Sequence, residues 1–168
     1  MPKINVTDTK GLYQDSGTGV YVASPVYQLP ISRGSVTTTA ATYALTAAQS
    51  GTTLYLNVND GCDVTLPAAA PGLMFTIVQQ LAYASDTITI TTASSADILT
   101  GHVIQYKEGT GHSIFKPNGT DDNVITLNGT TTGGLTAGGI FEFVCVSDSE
   151  WHVKGQTGAN GTVATPFS

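Results

Sequence analysis

Three histidines, His102, His112 and His152, are the residues best suited to hold a transition metal. A three-histidine zinc site needs their imidazoles to converge. They fall on different predicted elements, and only His102 and His112 flank a common hairpin where they could face each other. Surface histidines are the plainer reading. A hard cation would need oxygen ligands instead. Asp121, Asp122 and Asn123, with Asn118 nearby, offer them, but the spaced order of a calcium loop is missing. An Asx-rich turn accounts for the cluster. Sugar hydrolysis by paired acids needs two carboxyls facing one another across a cleft. Glu142, Asp148 and Glu150 lie close in sequence, yet Glu142 alternates with Phe141 and Phe143 and so points away from the core face. Serine, histidine and aspartate are all present without a G-x-S-x-G elbow or a cysteine–histidine motif. Gly17-Thr18-Gly19 and Gly109-Thr110-Gly111 lack the Lys-Ser/Thr of a phosphate loop and the helix that follows it. The expectation is a protein that is not an enzyme and has no cofactor or metal.

Cys62 and Cys145 are too few for a disulfide framework. Cys62 reads as an exposed thiol in a hairpin turn and Cys145 as a small core residue on an apolar strand, with a long-range disulfide as the alternative. Asn5, Asn118, Asn128 and Asn160 each begin a glycosylation sequon. With no secretion signal in view these read as chance matches, and the three Asn-Gly cases read better as turns.

The elements that must position these residues are short strands. Charged residues make up 11% of the 168, against roughly 25% in an ordinary domain. The Thr- and Gly-rich remainder suits strands and tight turns, and implies uncharged surface that neighbouring subunits could cover. The net charge is −6, and the six basic residues are scattered. Nucleic acid and anionic membrane are disfavoured as partners. The start, MPKINVTDTK, has no apolar stretch of a signal peptide, and no apolar run approaches the ~20 residues of a membrane span.

Thr53–Pro67 alternates on both sides of an Asn-Asp-Gly turn, and predicts a β-hairpin with Leu54, Leu56, Val58, Val64 and Leu66 inward. Thr39–Gln49 is equally compatible with a helical turn and a strand. Leu73–Gln80 is apolar on both faces, which predicts a central strand covered on both sides. Thr87–Thr92 turns Ile88 and Ile90 inward. Val103–Lys107 and His112–Lys116 form a second hairpin, and Asn123–Leu127 is a further strand. Gly-rich Asn128–Gly139 predicts a long mobile loop with few side chains to pack. Ile140–Val146 and Glu150–Lys154 close the pattern, the latter with Trp151 and Val153 on one face. The fold class expected is all-β: an antiparallel β-sandwich or barrel of about seven to nine short strands. No fixed internal period stands out, which argues against a solenoid.

Three regions follow: an extended N-terminal arm at 1–35, a core at 36–154, and a Gly-rich tail at 155–168 pinned by Phe167. The arm carries Tyr13, Tyr21, Tyr27, Leu29 and Ile31 without sustained alternation. Such a segment buries little against itself and a good deal against a partner. It reads as an arm that docks on a neighbouring subunit or an underlying surface, with an edge strand of the same domain as the alternative.

The run Leu45–Asn57, then Val64-Thr65-Leu66-Pro67 and Pro71–Ile77, resembles small virion proteins of tailed bacteriophages, and Gly138–Phe143 with Trp151–Gly155 looks like their closing hairpin. The likeness covers about residues 43–155. Related blocks occur in capsid decoration (cement) proteins and in tail-fibre modules. Length and the arm favour decoration. The resemblance implies a non-enzymatic structural protein on the outer capsid surface, often a homotrimer, made in the host cytoplasm. Its partners would be the major capsid protein and copies of itself. The alternative is a receptor-binding or tail-fibre tip module that recognises host glycan or protein through loops such as Asn128–Gly139.

Overall fold

A computed structural model describes residues 4–7, 11–14, 34–107, 109 and 111–168. The chain divides into two units after Pro30. In the first, β1 (Ile4–Thr7) and β2 (Gly11–Gln14) form an antiparallel ladder from Ile4↔Gln14 to Thr7↔Gly11. The expected arm therefore contains a small hairpin. Tyr13 lies in β2 opposite Asn5, whereas Tyr21, Tyr27, Leu29 and Ile31 lie outside the described residues.

The second unit is built from strands. They are β3 (Ser35–Thr38), β4 (Thr42–Ala44), β5 (Thr53–Leu56), β6 (Cys62–Thr65), β7 (Met74–Gln79), β8 (Ile88–Thr91), β9 (Ile98–Lys107), β10 (Gly111–Phe115), β11 (Val124–Leu127), β12 (Ile140–Ser147) and β13 (Glu150–Gly158). One sheet has the order β10-β9-β13-β12-β7-β5-β3 and the other β11-β8-β6-β4. Thr39–Gln49 satisfies both of its readings, with β4 followed by a 3-10 turn at Ala47–Gln49. Gln49 Oε1 accepts from the Thr46 N–H at 2.9 Å and closes that turn.

The predicted hairpin at Thr53–Pro67 does not form. β5 pairs in parallel with β3 and β7, while β6 pairs in parallel with β4 and β8. The chain crosses from one sheet to the other between Leu56 and Cys62. From β3 to β8 it alternates sheets at every strand, winding three coils. Parallel neighbours need a crossover between them, and here the crossover runs through the opposite sheet. Val36, Leu54 and Ile77 stack across the first sheet, and Tyr43, Val64 and Ile90 across the second. Their spacings in sequence are unequal, so the coiled section leaves no fixed period to read. Both sheets are therefore mixed, not antiparallel: β9–β10, β7–β12, β12–β13 and β8–β11 are antiparallel, while β9–β13 is parallel.

Alternation still sorts the side chains as expected. Leu54, Leu56, Phe75, Ile77, Leu99, Val103, Phe141, Phe143, Trp151 and Val153 from the large sheet join Val64, Ile88, Ile90, Ile125 and Leu127 from the small one in a single buried cluster. Trp151 lies 6.0 Å from Phe75, ring centre to ring centre. Phe167 bridges to Ile125 and is buried, so it does pin the tail. Around it the backbone of Pro166 and Ser168 bonds along β11 and covers that sheet edge.

The Gly-rich loop is held, contrary to its expected mobility. Gln79 Nε2 donates to the Gly134 carbonyl at 2.7 Å, and the Gly134 N–H donates to Thr157 Oγ1 at 2.7 Å. Backbone bonds join Gly138 to Gln79 and Leu135 to Gly158. Gly133 has φ +106°, and a Cβ there would lie 2.4 Å from Thr157 Cγ2. At Gly133 the missing side chain serves close packing.

Candidate interaction surface

The residues with chemical potential are dispersed by the sheet registers. His102 lies opposite Lys154, His112 opposite Tyr106, and His152 opposite Val144 and Thr100. His152 Nδ1 and Thr100 Oγ1 are 3.3 Å apart. His102 and His112 therefore do not face each other across the hairpin. No group of three or more His, Cys, Asp or Glu is placed to hold a metal ion among the described residues. Glu142 is exposed on β12, opposite Thr76 and Lys154. Asp148 sits in the β12–β13 turn, and Glu150 opens β13 opposite Ser147.

The acidic cluster is an Asx turn. Asn118 Oδ1 accepts from the N–H groups of Thr120, Asp121 and Asp122, and Asp122 Oδ2 accepts from the Asn118 N–H at 2.7 Å. Asn118 Nδ2 donates to Asp121 Oδ1. Asn128 repeats the device: its Oδ1 accepts from the Thr130 N–H at 2.9 Å and from Thr130 Oγ1 at 3.1 Å, the same distances as at Asn118 and Thr120. These two Asn-Gly-Thr sequons are thus turn chemistry.

Both cysteines are buried and unbridged. Cys62 is not an exposed turn residue, because it is the first residue of β6 and faces inward beside Val64. Burial raises the thiol pKa of Cys62, with the neighbouring Asp63 charge adding to the rise. Burial also raises that of Cys145, whose Sγ donates to the Ser147 carbonyl at 3.1 Å.

The feature the side-chain motifs missed is the outer face of the seven-stranded sheet. The registers place Thr37, Tyr55, Val78, Ile140, Gln156, Ile104 and Ile114 in one row across all seven strands. Five of the seven are apolar or aromatic. Ile114 is 56% exposed. Beyond a polar row that includes Thr76, Glu142 and Lys154, a second apolar group holds Met74 and Val144, with Val146 further along β12. Met74 and Val146 are each 50% exposed. The signal was legible in Leu73–Gln80 and Ile140–Val146, whose strands are apolar on both faces. The coverage expected on both sides of Leu73–Gln80 exists on one: Phe75 and Ile77 are buried, while Met74, Thr76 and Val78 keep contact with solvent.

Among the described residues no helix is long and apolar enough to cross a membrane. In comparison with known proteins, the chain matches no family model, no curated protein and no solved structure.

Proposed function

We propose that this chain is a structural virion protein of a tailed bacteriophage that binds the outside of the capsid and stabilises it, acting by contact and not by catalysis. The observation that carries the reading is the set of apolar side chains on the outer face of the seven-stranded sheet, Ile114, Met74 and Val146 among them, that keep contact with solvent. Central strands with apolar side chains on both faces ordinarily have both faces packed. Apolar side chains gathered on an exposed sheet face favour a place where another macromolecule sits. On this reading the two sheets form a β-sandwich, and the outer faces of three copies and the major capsid protein share the contact. Tyr13, Tyr21, Tyr27, Leu29 and Ile31 add aromatic and aliphatic anchors from the N-terminal segment. Repetition over a symmetric shell turns weak contacts into high avidity.

The test is co-sedimentation of the purified protein with undecorated capsids and, separately, with host cells. Pelleting with capsids alone is expected. Pelleting with cells alone would replace this reading with the adhesin alternative. A protein that ignores capsids and stays monomeric at all concentrations would overturn the proposal.

A further inference from the structure

The triplet Asn-Gly-Thr occurs three times, at Asn118, Asn128 and Asn160. Asparagine followed by glycine carries a latent reaction, because a glycine has no side chain to shield its own amide nitrogen. That nitrogen can attack the asparagine side-chain carbon Cγ and close a five-membered imide. The attack needs the nitrogen close to Cγ and a carboxamide not held elsewhere. The triplets are identical, so the fold is what distinguishes the three sites.

At Asn118 the carboxamide is committed. Its Oδ1 accepts from the N–H groups of Thr120, Asp121 and Asp122 at 2.9, 3.2 and 3.3 Å, and its Nδ2 donates to Asp121 Oδ1. The Asp121 and Asp122 carboxylates border it, and their charge opposes loss of a proton from a nearby amide. At Asn128 the Oδ1 accepts from the N–H groups of Thr130 and Thr132 at 2.9 and 3.0 Å, and Nδ2 donates to Thr131 Oγ1 at 3.0 Å. The attacking nitrogen is engaged as well, since the Gly129 N–H donates to the Gly133 carbonyl at 2.8 Å. A Cβ at Gly129 would lie 2.0 Å from the Tyr83 ring, so ring closure has no room there.

Asn160 differs on each count. It is exposed, and its Oδ1 lies 2.7 Å from Gly161 N, the attacking atom itself. One carbonyl bond of about 1.23 Å separates Oδ1 from Cγ, which keeps Cγ within about 3.9 Å of that nitrogen. Among the described residues, a Cβ at Gly161 would meet only Thr131 Cγ2, at 3.8 Å, so the ring and water have room. Lys107 Nζ donates to the Gly161 carbonyl at 3.0 Å, and this cation favours the amide anion that must form before attack.

We propose that Asn160 is a site of spontaneous deamidation, with water as the co-reactant. Hydroxide takes the Gly161 N–H proton. The nitrogen bonds to Asn160 Cγ, the Cγ–Nδ2 bond breaks, and Nδ2 takes a proton from water and leaves as ammonia, which restores the hydroxide. Water then opens the imide at one of its two carbonyls and leaves aspartate or isoaspartate. Either product adds one carboxylate, taking the net charge from −6 to −7. Isoaspartate also adds one carbon to the backbone between two anchors of the tail. These are the Asn160 N–H on the Thr130 carbonyl and the Ala164 N–H on the Thr131 carbonyl, each at 2.9 Å.

The experiment incubates the full chain in mildly alkaline buffer, with and without guanidinium chloride, and follows each asparagine by mass spectrometry of proteolytic peptides. In the folded protein Asn160 should react at least about tenfold faster than Asn118 and Asn128, a barrier difference of about 1.4 kcal/mol. The three rates should converge in the denaturant. A folded-state rate at Asn160 no greater than that at Asn118 or Asn128 would overturn the proposal. So would the same ratio of rates in the folded and unfolded chain, since the fold would then contribute nothing. Neither result bears on capsid co-sedimentation, so this proposal and the proposed function fail separately.

Discussion

Trp151 shows how much of the molecule's stability rests on single side chains. It is completely buried against Phe75, and its Nε1–H has no acceptor among the described residues. Trp151→Ala should cost about 3–5 kcal/mol in urea unfolding followed by circular dichroism. Trp151→Phe keeps an aromatic ring and removes the stranded donor, so it should cost less than half as much; an equal loss would mean the indole N–H is satisfied. The cysteines supply a pH dependence. Burial holds both thiols protonated in the native state, so their folded pKa values lie above the unfolded value of about 8.5. The unfolded chain releases these protons first, so their contribution is complete below that pH and is lost as pH rises towards the folded values. The urea midpoint should fall between about pH 7.5 and 9.5, and a Cys62→Ala/Cys145→Ala variant should fall less. A thiol reagent should modify neither cysteine until the protein unfolds.

Strands and loops carry different kinds of information. The strand alternation at Ile88–Thr91 and Glu150–Val153 was plain in the sequence because burial on one face enforces period two. Pairing partners were not plain, since Leu54 and Val64 look the same whether their strands share a hairpin or lie in separate sheets. The Asn-Asp-Gly signal marked a true break in the chain and misled only about where the chain went next. In the Gly-rich loop, composition suggests freedom, whereas Gly133 serves proximity. Gly133 and Gly138 both have positive φ, but a Cβ at Gly133 would collide with Thr157 while one at Gly138 meets nothing within 4 Å. Both alanine variants should lose about 1 kcal/mol for the backbone strain alone, and Gly133→Ala should lose roughly 1–2 kcal/mol more. Equal losses in thermal unfolding would remove the packing explanation. Slow hydrogen exchange at the Gly134 amide, which donates to Thr157, is the companion observation.

For the whole molecule, the surface on which the proposed function can be tested is the outer face of the large sheet. Val78, Ile140, Ile104 and Ile114 contribute there from four strands that span residues 74 to 147. Charging the face should separate folding from assembly. Val78→Lys and Ile114→Lys should each change unfolding free energy by no more than about 1 kcal/mol, because both positions contact solvent. The same substitutions should abolish self-association in sedimentation velocity and remove capsid binding. Retained assembly in the double variant would move the interface elsewhere, to the N-terminal segment or the small sheet.

The sequence by itself determined the all-β character, the inward residues of most strands and the turn chemistry at Asn118 and Asn128. Each follows from interactions within a few residues or from a period that burial imposes locally. Only the tertiary structure decided that β5 and β6 part company, that Cys62 faces inward, that a mostly apolar row crosses seven strands, and that Phe167 meets Ile125. Those features depend on registers between segments far apart in the chain, and side-chain period carries no label for the partner strand.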